Sequence, residues 1–193
     1  MHTAIVSILA DKFTFISILK SCGMLKLMEL GVQLHAQVIK NELQSDVSVG
    51  NAIVTMYSKC GNIRCAQAVF VNMSYRDAVS WNVMIARYAE NGLTENTLKL
   101  FCKMQETGAI PYQFTFASVV KACCGCGIAQ TIEQQGKQVH AYVVKTGFES
   151  DVFVGSALVD MYGKCGTTED AQNVLDNMPE PNLVSYNAMV ARF

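Results

Sequence analysis

The feature that most constrains this chain is that it writes one sentence twice. "VGNAIVTMYSKCG" from Val49 returns as "VGSALVDMYGKCG" from Val154, and across Val47–Tyr88 and Val152–Phe193 about half the positions are identical. A second pair agrees. "FTFISILKSCG" from Phe13 matches "FTFASVVKACC" from Phe114, and "QLHAQVIK" from Gln33 matches "QVHAYVVK" from Gln138. The offset grows between these pairs, so about four extra residues lie between Cys123 and Gly136, in "CCGCGIAQTIEQQG". A period of about one hundred residues is too long for one structural unit, so it must be subdivided.

Each subdivision reads as two amphipathic helices. Ile53, Met56, Tyr57 and Cys60 follow helical spacing before Gly61, and Ile63, Ala66, Val69, Phe70 and Met73 form a second stripe. Trp81, Met84, Ile85 and Tyr88 lead to Gly92, and Leu98, Phe101 and Met104 lead to Gly108 and Pro111. Glycine just past a stripe is a stop signal, because it takes up left-handed backbone at no steric cost. Thr14, Ser80, Thr115 and Ser185 are placed to cap first helices. No strand alternation competes with this pattern. The expected fold is all-α, a solenoid of stacked helix-turn-helix repeats whose apolar stripes are buried only against neighbours.

Composition narrows the chemistry. Hydrophobic residues make up 51% of the chain, yet no run is long enough for a membrane span. The formal charge of −1 means that attraction to nucleic acid would need a local stripe of lysines. Eight cysteines without a secretory leader suggest free thiols in a reducing compartment.

Taken together, "FTFASVVKAC…GKQVHAYVVKTGFESD", "VFVGSALVDMYGKCG…EDAQNVLDNMPEPN" and "VSWNVMIARYAENGLTENTLKLFCKMQETGAIP" resemble the pentatricopeptide repeat (PPR) proteins. They resemble the plant arrangement of long, short and ordinary repeats in that order. The resemblance implies a right-handed superhelical α-solenoid with a long unit at 12–46, a short unit at 47–77 and an ordinary unit at 78–112. A long unit with an insertion follows at 113–151, then a short unit at 152–182. Residues 1–11 resemble the tail of a preceding repeat and 183–193 a truncated ordinary one, as in a piece of a longer array.

Such repeats read single-stranded RNA at about one base per unit, through two or three side chains. The family places readers at the fifth and last residues of a unit. The polar letters that change between the two copies stand there. The resemblance pairs Asn51 with Asp77, a uracil combination, and Ser156 with Asn182, an adenine combination. Asn82 is a further reader, but its partner position holds Tyr112, and Asn187 has no partner in its truncated unit. Second residues sandwich the base, which nominates Val79, Phe114, Phe153 and Val184, while Ser48 departs from the apolar pattern. Lys59 and Lys164 share a register that the family uses for phosphate. Ile16 and Ala117 are apolar fifth residues and read no edge.

Helix capping is the plain alternative role for Asn51, Asp77, Ser156 and Asn182, since Asn, Asp and Ser favour caps and turns anyway. For Lys59 and Lys164 it is a favourable place near a helix C-terminus.

Catalysis is not expected. Cys123 and Cys126 form one C-x-x-C, short of a four-ligand zinc set. His2, His35 and His140 lack the glutamate two residues on that a cytidine deaminase motif requires. His35 and His140 share a register, which favours packing. No metal, cofactor, membrane or small-molecule substrate is expected. The partner implied is single-stranded RNA, with editing or processing factors of a mitochondrion or chloroplast beside it. The alternative is a helical protein-interaction scaffold with little RNA binding.

Overall fold

The computed structural model describes residues 11–124 and 129–190, leaving aside the side chains of 129–132, Val184 and Ala188. The tail at 1–10, Cys126 and most of the insertion around it lie outside the described residues, as do the last three residues. The described elements are helical throughout: α1 (Lys12–Leu25), α2 (Met28–Lys40), α3 (Val47–Lys59), α4 (Ile63–Asn72), α5 (Ala78–Glu90) and α6 (Thr94–Glu106). They continue as α7 (Gln113–Cys123), α8 (Ala129–Lys145), α9 (Val152–Cys165), α10 (Thr168–Asn177) and α11 (Leu183–Val190). The chain divides into two compact units, at Arg87 and Tyr88 within α5.

In the N-terminal unit α1 packs on α2 and α3, and α3 on α4. The apolar stripes meet as their spacing predicts: Leu19 of α1, Leu34 of α2 and Met56 of α3 are all fully buried. Phe70 of α4 meets Trp81 of α5 edge to face, with centroids 5.2 Å apart. Helix approach is closest where a glycine stands in place of a side chain. A Cβ on Gly31 would fall 2.3 Å from the Sδ of Met56, so the methionine occupies that space.

In the C-terminal unit α7 packs on α6, α8 and α9, and α9 packs on α10 and α11. Phe116 is its centre, fully buried, with Phe101 5.9 Å and Phe148 5.3 Å away between ring centroids. The glycine-methionine contact recurs here. A Cβ on Gly136 would again meet Sδ of Met161 at 2.3 Å.

The caps correct the reading of the sequence. Thr14, Ser80, Thr115 and Ser185 do not occupy the N-cap position; each lies three residues after it, inside the first turn. Asp11 Oδ1 accepts the Thr14 amide at 2.8 Å, Asp77 Oδ1 accepts the Ser80 amide at 2.8 Å, and Asn182 Oδ1 accepts that of Ser185 at 3.0 Å. The Thr115 and Ser185 hydroxyls serve in reverse, accepting the amides of Tyr112 and Asn182. The first helices begin three residues earlier than a hydroxyl cap would require. Residues 46 and 151 are caps too, each aspartate accepting two backbone amides. A carboxylate there also suits the positive end of the helix dipole.

Candidate nucleic-acid interface

The first helices α1, α5, α7 and α9 each leave one large apolar side chain in water at their second residue. Phe13 is 66% exposed, Phe114 64% and Phe153 65%, and Val79 is also exposed. Ser48 takes this position in α3 and is exposed as well. The Phe114 and Phe153 rings lie 6.4 Å apart between centroids, tilted by 40°. At that distance the two exposed rings touch each other and together form an apolar patch on the surface of α7 and α9. The side chain of Val184 lies outside the described residues.

Asn51 and Asp77 are brought together. The Asn51 amide Nδ2 donates to Asp77 Oδ1 at 3.4 Å, and the same oxygen takes the Ser80 amide and the Ser80 hydroxyl, both at 2.8 Å. Burial raises the Asp77 carboxyl, but these hydrogen bonds outweigh it and hold the group below its ordinary value. Asp77 is therefore ionised near neutral pH. The Oδ1 of Asn51 is buried and has no donor among the described residues. An unsatisfied buried carbonyl is costly, and the site gains by offering it a donor. Both residues line an open groove of about 410 Å³, walled by Ile16, Lys20, Ser48, Thr55 and Val79.

The second pair is placed differently. Ser156 is 9% exposed, and its hydroxyl donates to the Val152 carbonyl at 2.7 Å. Asn182 is exposed and caps α11 through Ser185. Asn82 is half-buried and already has a partner, Tyr112 is exposed at the start of α7, and Asn187 is exposed. Lys59 is exposed in the last turn of α3. Lys164, its counterpart, forms an ion pair with Asp160 one turn back. Thr55 stands where Asp160 would be in the first copy, with its hydroxyl on the Asn51 carbonyl.

Two residues escaped the reading of the sequence. Phe13 has the same exposed setting as Phe114, and the match of "FTFISILKSCG" to "FTFASVVKACC" carried the signal. Lys20 gave no signal within its own unit, because it enters a groove formed with the next one.

The remaining titratable groups are packed. His35 Nδ1 is hydrogen-bonded to the Tyr57 hydroxyl at 3.0 Å, and burial lowers its pKa. Cys22 and Cys123 are buried, and burial raises the Cys124 thiol to about 11, which keeps it protonated. Among the described residues no three His, Cys, Asp or Glu side chains gather as a metal site, and no helix is long and apolar enough to cross a membrane.

These features define a class first: an α-helical repeat protein whose first helices pack on one another within each unit and present their second residues to solvent. It is a PPR repeat protein. Residues 76–125 match the PPR repeat family and residues 156–183 match the PPR repeat. Over 95% of its length the chain is 40% identical to pentatricopeptide repeat-containing protein At3g09040, mitochondrial, and 39% identical to At4g18520, chloroplastic, both of Arabidopsis thaliana. It spans 17% and 29% of the lengths of those two proteins. The crystal structure of the pentatricopeptide repeat protein PPR10 from maize superposes on 94% of the chain with a TM-score of 0.68 and 25% identity, covering 26% of that protein. A second PPR10 structure, in complex with an 18-nt psaJ RNA element, gives 0.71 over 95% of the chain and 26% of PPR10, at 19% identity. The fold is thus a solenoid of stacked helix pairs. PPR repeats are non-catalytic, and the chain is not an enzyme.

Proposed function

We propose that this chain binds single-stranded RNA selectively, as the specificity element of an organellar RNA editing or processing factor. It does so with long, short and ordinary repeats in turn. The carrying observation is the Asn51–Asp77 pair lining an open groove: the Asn51 carbonyl oxygen, buried in the free chain, has no donor among the described residues and turns outward to meet a base. A uracil edge presents an N–H donor at N3, whereas cytosine presents an acceptor there, so the site favours uracil. Asp77 fixes the Asn51 amide from behind by accepting from Nδ2, and Val79 supplies an apolar wall against the base.

Ser156 and Asn182 form the second reader, for adenine, once the serine hydroxyl swings off the Val152 carbonyl. Asn82 and Asn187 contribute at the ordinary units. Phe114, Phe153 and Val184 stack bases alongside Val79, and Lys59 and Lys164 lie toward the phosphates. Support comes from the PPR family match, from the RNA-bound PPR10 structure of the same fold, and from relatives named mitochondrial and chloroplastic.

Band-shift titrations of the whole chain test this. The oligonucleotides carry U upstream of A with two bases between, and then C, A or G in place of U. Uracil is expected to bind best, and Asn51→Ala to abolish the difference between U and C. Equal affinity for all four would overturn the assignment and favour a protein-binding scaffold.

A further inference from the structure

The two short units share a frame but differ in charge. In the first, Lys20 reaches from α1 into the groove that holds Asn51 and Asp77. It is exposed, and among the described residues no carboxylate is paired with it. Oδ1 of Asp77 is taken by three donors, and no ion pair joins Asp77 to Lys20 among the described residues. The groove therefore offers a hydrogen-bonding edge, an apolar wall and a cation within one cavity. Those are the counterparts of the base edge, the base face and the phosphate of one nucleotide. In the second copy Lys121 holds the register of Lys20, but Asp160 replaces Thr55 and pairs with Lys164.

We infer that Lys20 anchors the phosphate of the nucleotide read by Asn51, and that Asp160, by pairing with Lys164, withholds Lys164 from the backbone in the second short unit. The inference rests on the RNA-binding reading above. Backbone attraction is sequence-blind and salt-dependent, whereas the base edge carries the selection. The lysine that family likeness nominates in the second copy, Lys164, is spent on Asp160.

The test measures affinity of the full chain for a uracil-bearing single strand across a salt series. One single-strand phosphate contact changes the slope of log affinity against log salt by about 0.7, or about fivefold in affinity near 0.1 M salt. Lys20→Ala is expected to lose that much for U and C strands alike, and Lys20→Arg to retain it. Lys40→Ala, on a second helix away from the groove, should leave the slope unchanged. Asp160→Thr should gain about fivefold and steepen the slope by about 0.7. Circular-dichroism melts check that each variant keeps its fold. If the wild type selects U but Lys20→Ala leaves the slope intact, the anchor is overturned and the reader stands. Equal losses in Lys20→Ala and Lys40→Ala also overturn it, since net charge alone would then account for binding. If the wild type binds no single strand at low salt, the RNA reading falls and takes the anchor with it.

Discussion

His140 Nδ1 lies 2.9 Å from the hydroxyl of Tyr162, with the two rings edge to face at 5.6 Å between centroids. The same contact joins His35 and Tyr57 in the other copy. Burial lowers the pKa of His140, with Asp170 and Glu149 opposing it weakly, and burial raises that of Tyr162 to about 12. The pair is therefore a neutral packing bond that ties a second helix to the next first helix.

This pair sets a pH dependence. A histidine whose folded pKa lies below its unfolded value binds protons better in the unfolded chain. Its contribution to stability is whole above about pH 6.5 and is lost as pH falls through that value toward the folded one. The melting temperature should therefore decline between about pH 7 and pH 5. The double variant His35→Gln, His140→Gln should flatten this step. Asp11 and Asp77, whose values are lowered, lose their contributions only as pH falls below about 4, so the two effects separate on the pH axis. A melting profile level from pH 7 to 5 in the wild type would contradict the assignment.

Asp77 has two roles that substitution can separate. Asp77→Ala removes the cap of α5 and should cost about 1 kcal/mol in urea unfolding. Asp77→Asn keeps an acceptor for the Ser80 amide, so stability should hardly change. It removes the charge that fixes the Asn51 amide, and the preference for U over C should narrow. If both variants bind and discriminate like the wild type, Asp77 is a cap only.

Exchanging the altered letters should move the base preference. Ser156→Asn together with Asn182→Asp recreates the first pair in the second copy. The preference at that nucleotide should shift from adenine toward uracil, measured by competition between strands that differ only there. Asparagine also replaces a serine whose hydroxyl is folded back onto its own helix, so overall affinity should rise. An unchanged preference would remove the second reader from the proposal.

Much of the architecture was legible because burial follows periodicity. Trp81, Met84, Ile85 and Tyr88, picked by helical spacing, are all buried. The caps were misplaced because Ser and Thr suit the N-cap and the third residue of the first turn alike, and only geometry separates Ser80 from Asp77. The Lys164–Asp160 pair is one turn apart and so lies within reach of the sequence, whereas Thr55 at the matching position leaves Lys59 without that neighbour. The back-bonded hydroxyl of Ser156 and the entry of Lys20 into its neighbour's groove depend on side-chain conformation and stacking. Neither leaves a mark in local pattern.

The glycine-methionine contact predicts coupling between residues distant in sequence. Gly136→Ala improves helix propensity by about 1 kcal/mol but drives its new methyl into Met161 Sδ. Overpacking of a close contact costs about 1–3 kcal/mol, so the net effect should range from neutral to destabilising. In the background of Met161→Ala the methyl meets no sulfur, and Gly136→Ala should stabilise. That reversal of sign in a double-mutant cycle by chemical denaturation is the expected result. Additive effects would mean that Met161 moves aside at no cost.

Phe114 and Phe116 stand two residues apart on α7 and face opposite fates, one 64% exposed and the other fully buried. Phe116→Ala should cost about 3–5 kcal/mol of stability, since it empties the centre of the C-terminal unit. Phe114→Ala removes a ring that meets mainly water and Phe153, so unfolding should change little. Base stacking on an exposed aromatic contributes about 1–3 kcal/mol per base, and Phe114→Ala should weaken RNA binding by an amount in that range. The loss should be similar for every base, since each has a stacking face. Phe114→Trp offers a larger face and should retain binding. If Phe114→Ala binds RNA as the wild type does, the exposed rings belong to some surface other than the one that meets RNA.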